Sequence, residues 1–153
     1  MSIPLSPRER NWGEGVNMEI NPLGLTAALT AFLAIWLGHV AVRKVEAEAR
    51  DLRIPILIAI ALGLLTEYCS LITDHLSLKT ALGILGVTLL WDAFELHRQE
   101  NRVKHGHAPA NPNNPRHAKI LAEHSTATTL DLLKRNPVGR PVPPDEAPKL
   151  IHH

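Results

Sequence analysis

Three sets of side chains in this chain have the type and setting to do chemistry. His39 lies beside Gly38 in an uncharged apolar run, LAIWLGHVA, and His97 follows a second apolar run, TALGILGVTLLWDAFEL. A histidine in a spanning helix, with a glycine beside it to admit a flat macrocycle, can ligate haem or bacteriochlorophyll, and a histidine near the same membrane face can supply a second axial ligand. A histidine at that depth also serves as a hydrogen-bond partner for a neighbouring helix or a headgroup, so both readings stand. Glu67 is the second candidate, the only charged residue in IPILIAIALGLLTEYCSLIT. A charge at the centre of a bilayer costs about 3 kcal/mol on insertion scales. It should therefore face other helices, either as a hydrogen-bonded carboxyl or as a proton or ligand site in a transport path. His105 and His107 form the third set, but they sit in a loop without cysteine support. None of the nine histidines forms a helical HxxxH pair, so no metal site is expected. Glycine-rich phosphate loops, a nucleophile elbow and carboxylates at metal spacing are also missing, which argues against an enzyme acting alone.

The elements that must position these groups follow from where the apolar residues lie. The chain has 153 residues and 45% hydrophobic content, an ordinary average for one domain. That average hides a strong segregation: Pro22 to Ala41 carries no Asp, Glu, Lys or Arg, whereas residues 97–153 are rich in His, Pro, Asn and charge. A formal net charge of +1 does not point to nucleic acid. Cys69 is the one cysteine and lies in an apolar run, so there is no disulfide framework. The first 22 residues contain no apolar core of a removable signal peptide, which leaves the first helix as its own insertion signal.

Asn21-Pro22 is a helix start, with Asn as N-cap and Pro where its missing N–H costs nothing. The following uncharged stretch of about 20 residues gives roughly 30 Å of helix, enough to cross a bilayer core. It ends at Arg43 and Lys44, and VEAEARDLR continues as a charged helical segment at or beyond the headgroups. The second span runs from Ile54 to Thr73, with Pro55 in its first turn. For the third, Ser77 is the expected N-cap and Leu76 to Phe94 the span, and no helix breaker follows until Gly106. That helix should run about 28 residues, roughly 42 Å, and protrude past the membrane. A soluble bundle of unusually apolar helices is the competing reading, but the first segment has no polar stripe to face water. Small residues four apart, Ala27 with Ala31 and Ala34 with Gly38, together with Gly83 and Gly86, predict close helix contacts in lipid. Lys and Arg fall mainly between spans one and two and after span three. This bias places the amino terminus outside and the carboxyl terminus in the cytoplasm.

Beyond Gly106, prolines 109, 112 and 115 forbid a continuous helix. Asn114-Pro115 then repeats the helix-start signal, and a weakly amphipathic helix is expected over about 115–135, with Ile120, Leu121, Ala127, Leu130 and Leu133 on its apolar face. Such a helix needs a surface to lie on. The remainder is proline-rich and reads as an extended arm. The organisation is thus an amino-terminal arm over residues 1–21, a three-helix transmembrane unit over 22–106, and a cytoplasmic extension over 107–153.

Two blocks of residues resemble a known family. His39, Val42, Lys44 and Glu46 fit a pattern H-x-x-V-x-K-x-E. Gly83, Gly86, Leu90, Trp91, Glu95, Leu96, Gln99, Arg102, Val103, Gly106, Pro109, Asn111 and Pro112 fit a longer one that ends in PxNP. Over residues 24–116 the chain resembles the small bacterial membrane proteins of domain-of-unknown-function family 4491. It departs from the pattern at His107 and Ala108, where aromatic residues are expected, and adds an extension over residues 117–153. The resemblance implies an all-α membrane protein with three transmembrane helices in the bacterial inner membrane, and no biochemical activity. It directs attention to the juxtamembrane frame of Trp91, Glu95, Gln99, Arg102, Gly106, Pro109, Asn111 and Pro112 as a docking structure for partners.

The functional expectation is a non-catalytic accessory or anchoring subunit of a larger, energy-converting membrane complex, electron-transfer or photosynthetic. Its partners would be the bilayer and other subunits, and no cofactor is required. The alternatives are a small homo-oligomeric channel or transporter using Glu67, and a haem or bacteriochlorophyll carrier through His39.

Overall fold

The computed structural model describes residues 20–131, together with Asp145 and Lys149. The amino-terminal arm and the proline-rich tail of the sequence reading lie outside these residues, apart from Ile20 and Asn21 at the end of the arm and those two tail positions. Among the described residues the chain is all helix: α1 (Pro22–Glu48), α2 (Arg53–Ile72), α3 (Leu76–Lys104) and α4 (Pro115–Glu123). The first three are long and apolar enough to cross a membrane.

Helix boundaries follow local chemistry. At the start of α1, Asn21 Oδ1 accepts from the N–H groups of Leu23 and Gly24, as its position before Pro22 predicts. Asp51 Oδ1 accepts from the N–H of Arg53 at the start of α2. The start of α3 differs from expectation. Ser77 lies inside the first turn, and His75 is the N-cap with no side-chain bond. The short link Thr73–His75 fixes where the chain can turn, and Lys79 N–H closes the first helical bond onto the His75 carbonyl. At the other end of α3, Gly106 adopts φ +72, His107 N–H donates to the Arg102 carbonyl and Gly106 N–H to that of Val103. This is a Schellman stop, and its positive φ is a conformation that glycine adopts without strain.

α3 is the middle helix: it packs along both α1 and α2, while α1 and α2 meet chiefly where the link between them folds over α3. Close approach rests on small residues. A Cβ on Gly63 of α2 would lie 3.1 Å from the Gly86 carbonyl of α3 and 2.8 Å from Leu90. Ser70 Oγ of α2 donates to the Lys79 carbonyl at 2.9 Å. On α1 the buried stripe is Ala34, Gly38, Val42 and Glu46, four residues apart, which includes one of the expected small pairs. Only 11% of each spanning window is buried within the chain, so the remaining apolar flanks must be covered by lipid or by other protein.

Helix α4 is shorter than expected, ending at Glu123 rather than near residue 135. The Ser/Thr-rich segment that follows bonds elsewhere: Thr126 Oγ1 donates to the Lys104 carbonyl and the Thr128 carbonyl accepts from Ala110 N–H. Hydroxyl residues that can serve the backbone of a neighbouring loop compete with helix continuation. Ile120, Leu121 and Ala127 still pack as the apolar pattern implied, around Val103 and Ala110. Leu133 lies outside the described residues.

Candidate functional site

The most elaborate polar structure lies where α1 and α3 end together. Helix α1 leaves its last carbonyls without intrahelical partners. The loop after α3 supplies them. Asn111 Nδ2 and Asn114 Nδ2 each donate to the Ala47 carbonyl at 3.0 Å, and Asn114 Nδ2 also reaches the Ala49 carbonyl at 3.0 Å. Asn114 Oδ1 meanwhile accepts from Arg116 N–H as the N-cap of α4. One buried amide therefore caps the end of α1 and the start of α4 at once.

An ionic cluster completes the joint. Arg116 donates through Nη2 to Glu46 Oε1 at 2.9 Å and to the Glu46 carbonyl, through Nη1 to Glu100 Oε1 at 3.1 Å, and through Nε to the Ala49 carbonyl at 3.2 Å. His117 is fully buried. Its Nδ1 accepts from Asn111 N–H, which puts a proton on Nε2, and Nε2 lies 2.9 Å from Glu46 Oε1. Glu46 is 1% exposed, and both donors converge on one of its oxygens. A carboxylate this deep is tolerated only with such partners. The guanidinium also stands at the negative end of the α1 dipole.

The residues expected to dock a partner divide into three groups. Trp91 is exposed, stacks edge-on with Phe94 at 5.5 Å and lines the notch that holds Ile35 and His39. Glu95 and Gln99 are buried: Glu95 takes Arg98 at 3.4 Å and Arg102 at 3.2 Å, and Gln99 Oε1 accepts from Arg102 Nη1. Gly106 makes the helix stop, Asn111 caps α1, Pro109 lines the cleft between α1 and the loop, and Pro112 is exposed. The end of α3 thus does not stand alone beyond the membrane. Its loop folds back onto α1, and much of the motif acts within the chain.

His39 and His97 are both exposed, and the structure does not bring them together. His39 shares a notch with Ile35, Val87, Thr88, Trp91 and Asp92. On α3 that flank continues through Glu95, whereas His97 lies about 200° further round the helix. The room beside Gly38 is filled as well, since a Cβ there would lie 2.6 Å from Asp92 Oδ2. Gly38 therefore admits an aspartate rather than a macrocycle. Glu67 lies between α2 and α3 with its carboxyl against Gly86, and its Oε1 is buried without a hydrogen-bond partner. His105 and His107 stack on each other, and no group of three metal-type ligands occurs among the described residues.

Sequence reasoning missed the roles of Arg116, His117, Glu100 and Asp92, and took Glu46 only as a motif position. One signal was available. Arg116 and His117 are basic side chains in the first turn of α4, where the helix dipole disfavours cations. Such a placement asks for an acidic partner elsewhere.

Fold and site together define a small membrane protein of three candidate spans whose polar end is closed by its own loop. Residues 21–114 match the model of DUF4491, a domain of unknown function, over more than half of the chain, and the chain belongs to this family. The match ends at Asn114, so it contains Glu46 and the capping asparagines but not Arg116 or His117. No curated protein and no solved structure matches the chain.

Proposed function

We propose that this protein is a non-catalytic accessory or anchoring subunit of a larger membrane complex. It would sit in the bacterial cytoplasmic membrane with its amino terminus outside and its carboxyl terminus inside, within an energy-converting assembly. The observation that carries this reading is the contrast between the two halves of the molecule. Its spans bury little of their apolar surface within the chain, while its polar end is locked by a buried ion cluster and double helix caps. Open lateral faces suit contact with other spanning helices, and a rigid end holds any extension in a fixed direction. Extracted in mild detergent and run on a native gel, the protein should migrate together with other membrane subunits. Migration as a monodisperse monomer under every mild extraction would count against the reading.

A second reading is favoured by one atom. The buried, unpartnered Oε1 of Glu67 fits a proton- or cation-handling group of a small homo-oligomeric channel or transporter.

A further inference from the structure

The flank where α1 faces α3 changes character along its length. Ile35, His39 and Arg43 repeat every four residues on α1, and Thr88, Trp91, Glu95, Arg98 and Arg102 repeat every three or four on α3, so each set lines one flank of its helix. At the level of Ile35 and Trp91 lies a largely apolar notch of about 320 Å³, with Val87 and Thr88 also in its walls and His39 and Asp92 at its edge toward the helix ends. Further toward the helix ends lies a cleft of about 310 Å³ lined by Val40, Arg43, Lys44 and Gln99. A third, of about 180 Å³, shares Arg43, Gln99 and Pro109 with it and adds Arg102 and His107.

Charge on this flank is not balanced. The buried carboxylate of Glu95 serves two guanidiniums, Arg98 and Arg102, and so neutralises only one of them. Arg43 and Lys44 have no acidic partner among the described residues. Two carboxylates line the clefts: Glu46, whose Oε1 is already taken by Arg116 and His117, and Asp131 at the outer rim. With Asp131 and the Asp92 of the notch counted, the four cations Arg43, Lys44, Arg98 and Arg102 still exceed the three carboxylates Glu95, Asp92 and Asp131 by one charge. Because Gln99 Oε1 accepts from Arg102, its amide nitrogen remains as a further donor beside the cleft.

We propose that this flank binds an anionic phospholipid, with Arg43, Lys44 and Arg102 holding its phosphate and the notch between Ile35 and Trp91 holding the start of an acyl chain. An anionic head joined directly to an apolar tail is the ligand that matches donors and apolar wall in this order. From Ile35 to Arg43 the rise is about 12 Å, which takes the site from hydrocarbon to headgroup depth. Basic pockets between spanning helices recognise acidic headgroups by this chemistry, each Lys or Arg near the surface adding about fivefold in affinity. The inference is independent of which assembly the protein serves.

The test uses the full chain in nanodiscs of phosphatidylcholine, with and without phosphatidylglycerol, and counts retained lipid by native mass spectrometry. The parent should retain phosphatidylglycerol selectively. Arg43→Gln with Lys44→Gln removes two charges that hold no ion pair among the described residues, and retention should weaken about 25-fold. Lys119→Gln, a substitution of an exposed charge on α4, should change nothing. Equal retention by the double variant overturns the proposal, and so does an equal loss in Lys119→Gln, which would mean diffuse surface charge. Saturable binding of inorganic phosphate in phosphatidylcholine discs, without selective retention of phosphatidylglycerol, overturns it as well, because the source would then be free phosphate.

Discussion

Replacing Arg116 by alanine should undock the loop and α4 from the end of α1 without disturbing the spans. In the parent, Arg116 and Glu46 form an ion pair at 2.9 Å with side chains 13% and 2% exposed. Removing one partner of a buried pair costs roughly 3–5 kcal/mol, because the remaining charge is left uncompensated. His117 still donates to Glu46, and the guanidinium has a solvent-facing edge, so the low end of about 3 kcal/mol applies here. That corresponds to roughly a 150-fold increase in the undocked population. Amide hydrogen exchange reads this population directly when closing is faster than exchange. Ala110 N–H and Asn111 N–H are the reporters, since they bond to Thr128 and His117 only in the docked state. Their exchange should accelerate by about two orders of magnitude in Arg116→Ala, while amides of α2 keep the parent rate. Asn113→Ala, a truncation of an exposed side chain, serves as the control. An acceleration of less than about threefold, or equal acceleration throughout α2, would refute the view that this cluster closes the polar end of the molecule.

Two further outcomes concern the spans. Gly63→Ala places a methyl 2.8 Å from Leu90 and 3.1 Å from a backbone carbonyl and should lower stability by about 1–3 kcal/mol in detergent thermal unfolding, whereas the nearest atoms to a methyl in Gly86→Ala all belong to the Glu67 side chain rather than to backbone, and it should cost less. The reverse order would mean that α2 and α3 are not packed as described. Glu67→Gln fills the same space and should keep the parent unfolding midpoint, and under the transport reading it abolishes ion flux in liposomes. Flux that survives this substitution excludes Glu67 from the pathway.

Much of the fold was legible in the sequence because the features that specify it are local or one-dimensional. Three apolar runs of spanning length, the Asn-Pro starts at residues 21 and 114 and the glycine stop at 106 each act through neighbours in the chain, and each appears where expected. Lipid also demands only length and apolarity from a span, a requirement read along a single strand of sequence. The expected N-cap at Ser77 and the expected length of α4 failed for the opposite reason. A short link in one case and a neighbouring loop in the other overrode the local signal.

What only the tertiary structure decided is how the polar groups are satisfied. Glu46 meets Arg116 across 70 residues of chain, Asn111 and Asn114 cap a helix that ended more than 60 residues earlier, and Asp92 occupies the face of Gly38. Such pairings leave no periodic trace, because a buried charge or carbonyl requires a partner of complementary chemistry without specifying where in the chain it comes from. The residue types of the joint were therefore fixed by the sequence, and their partners by the packing of α1 against α3.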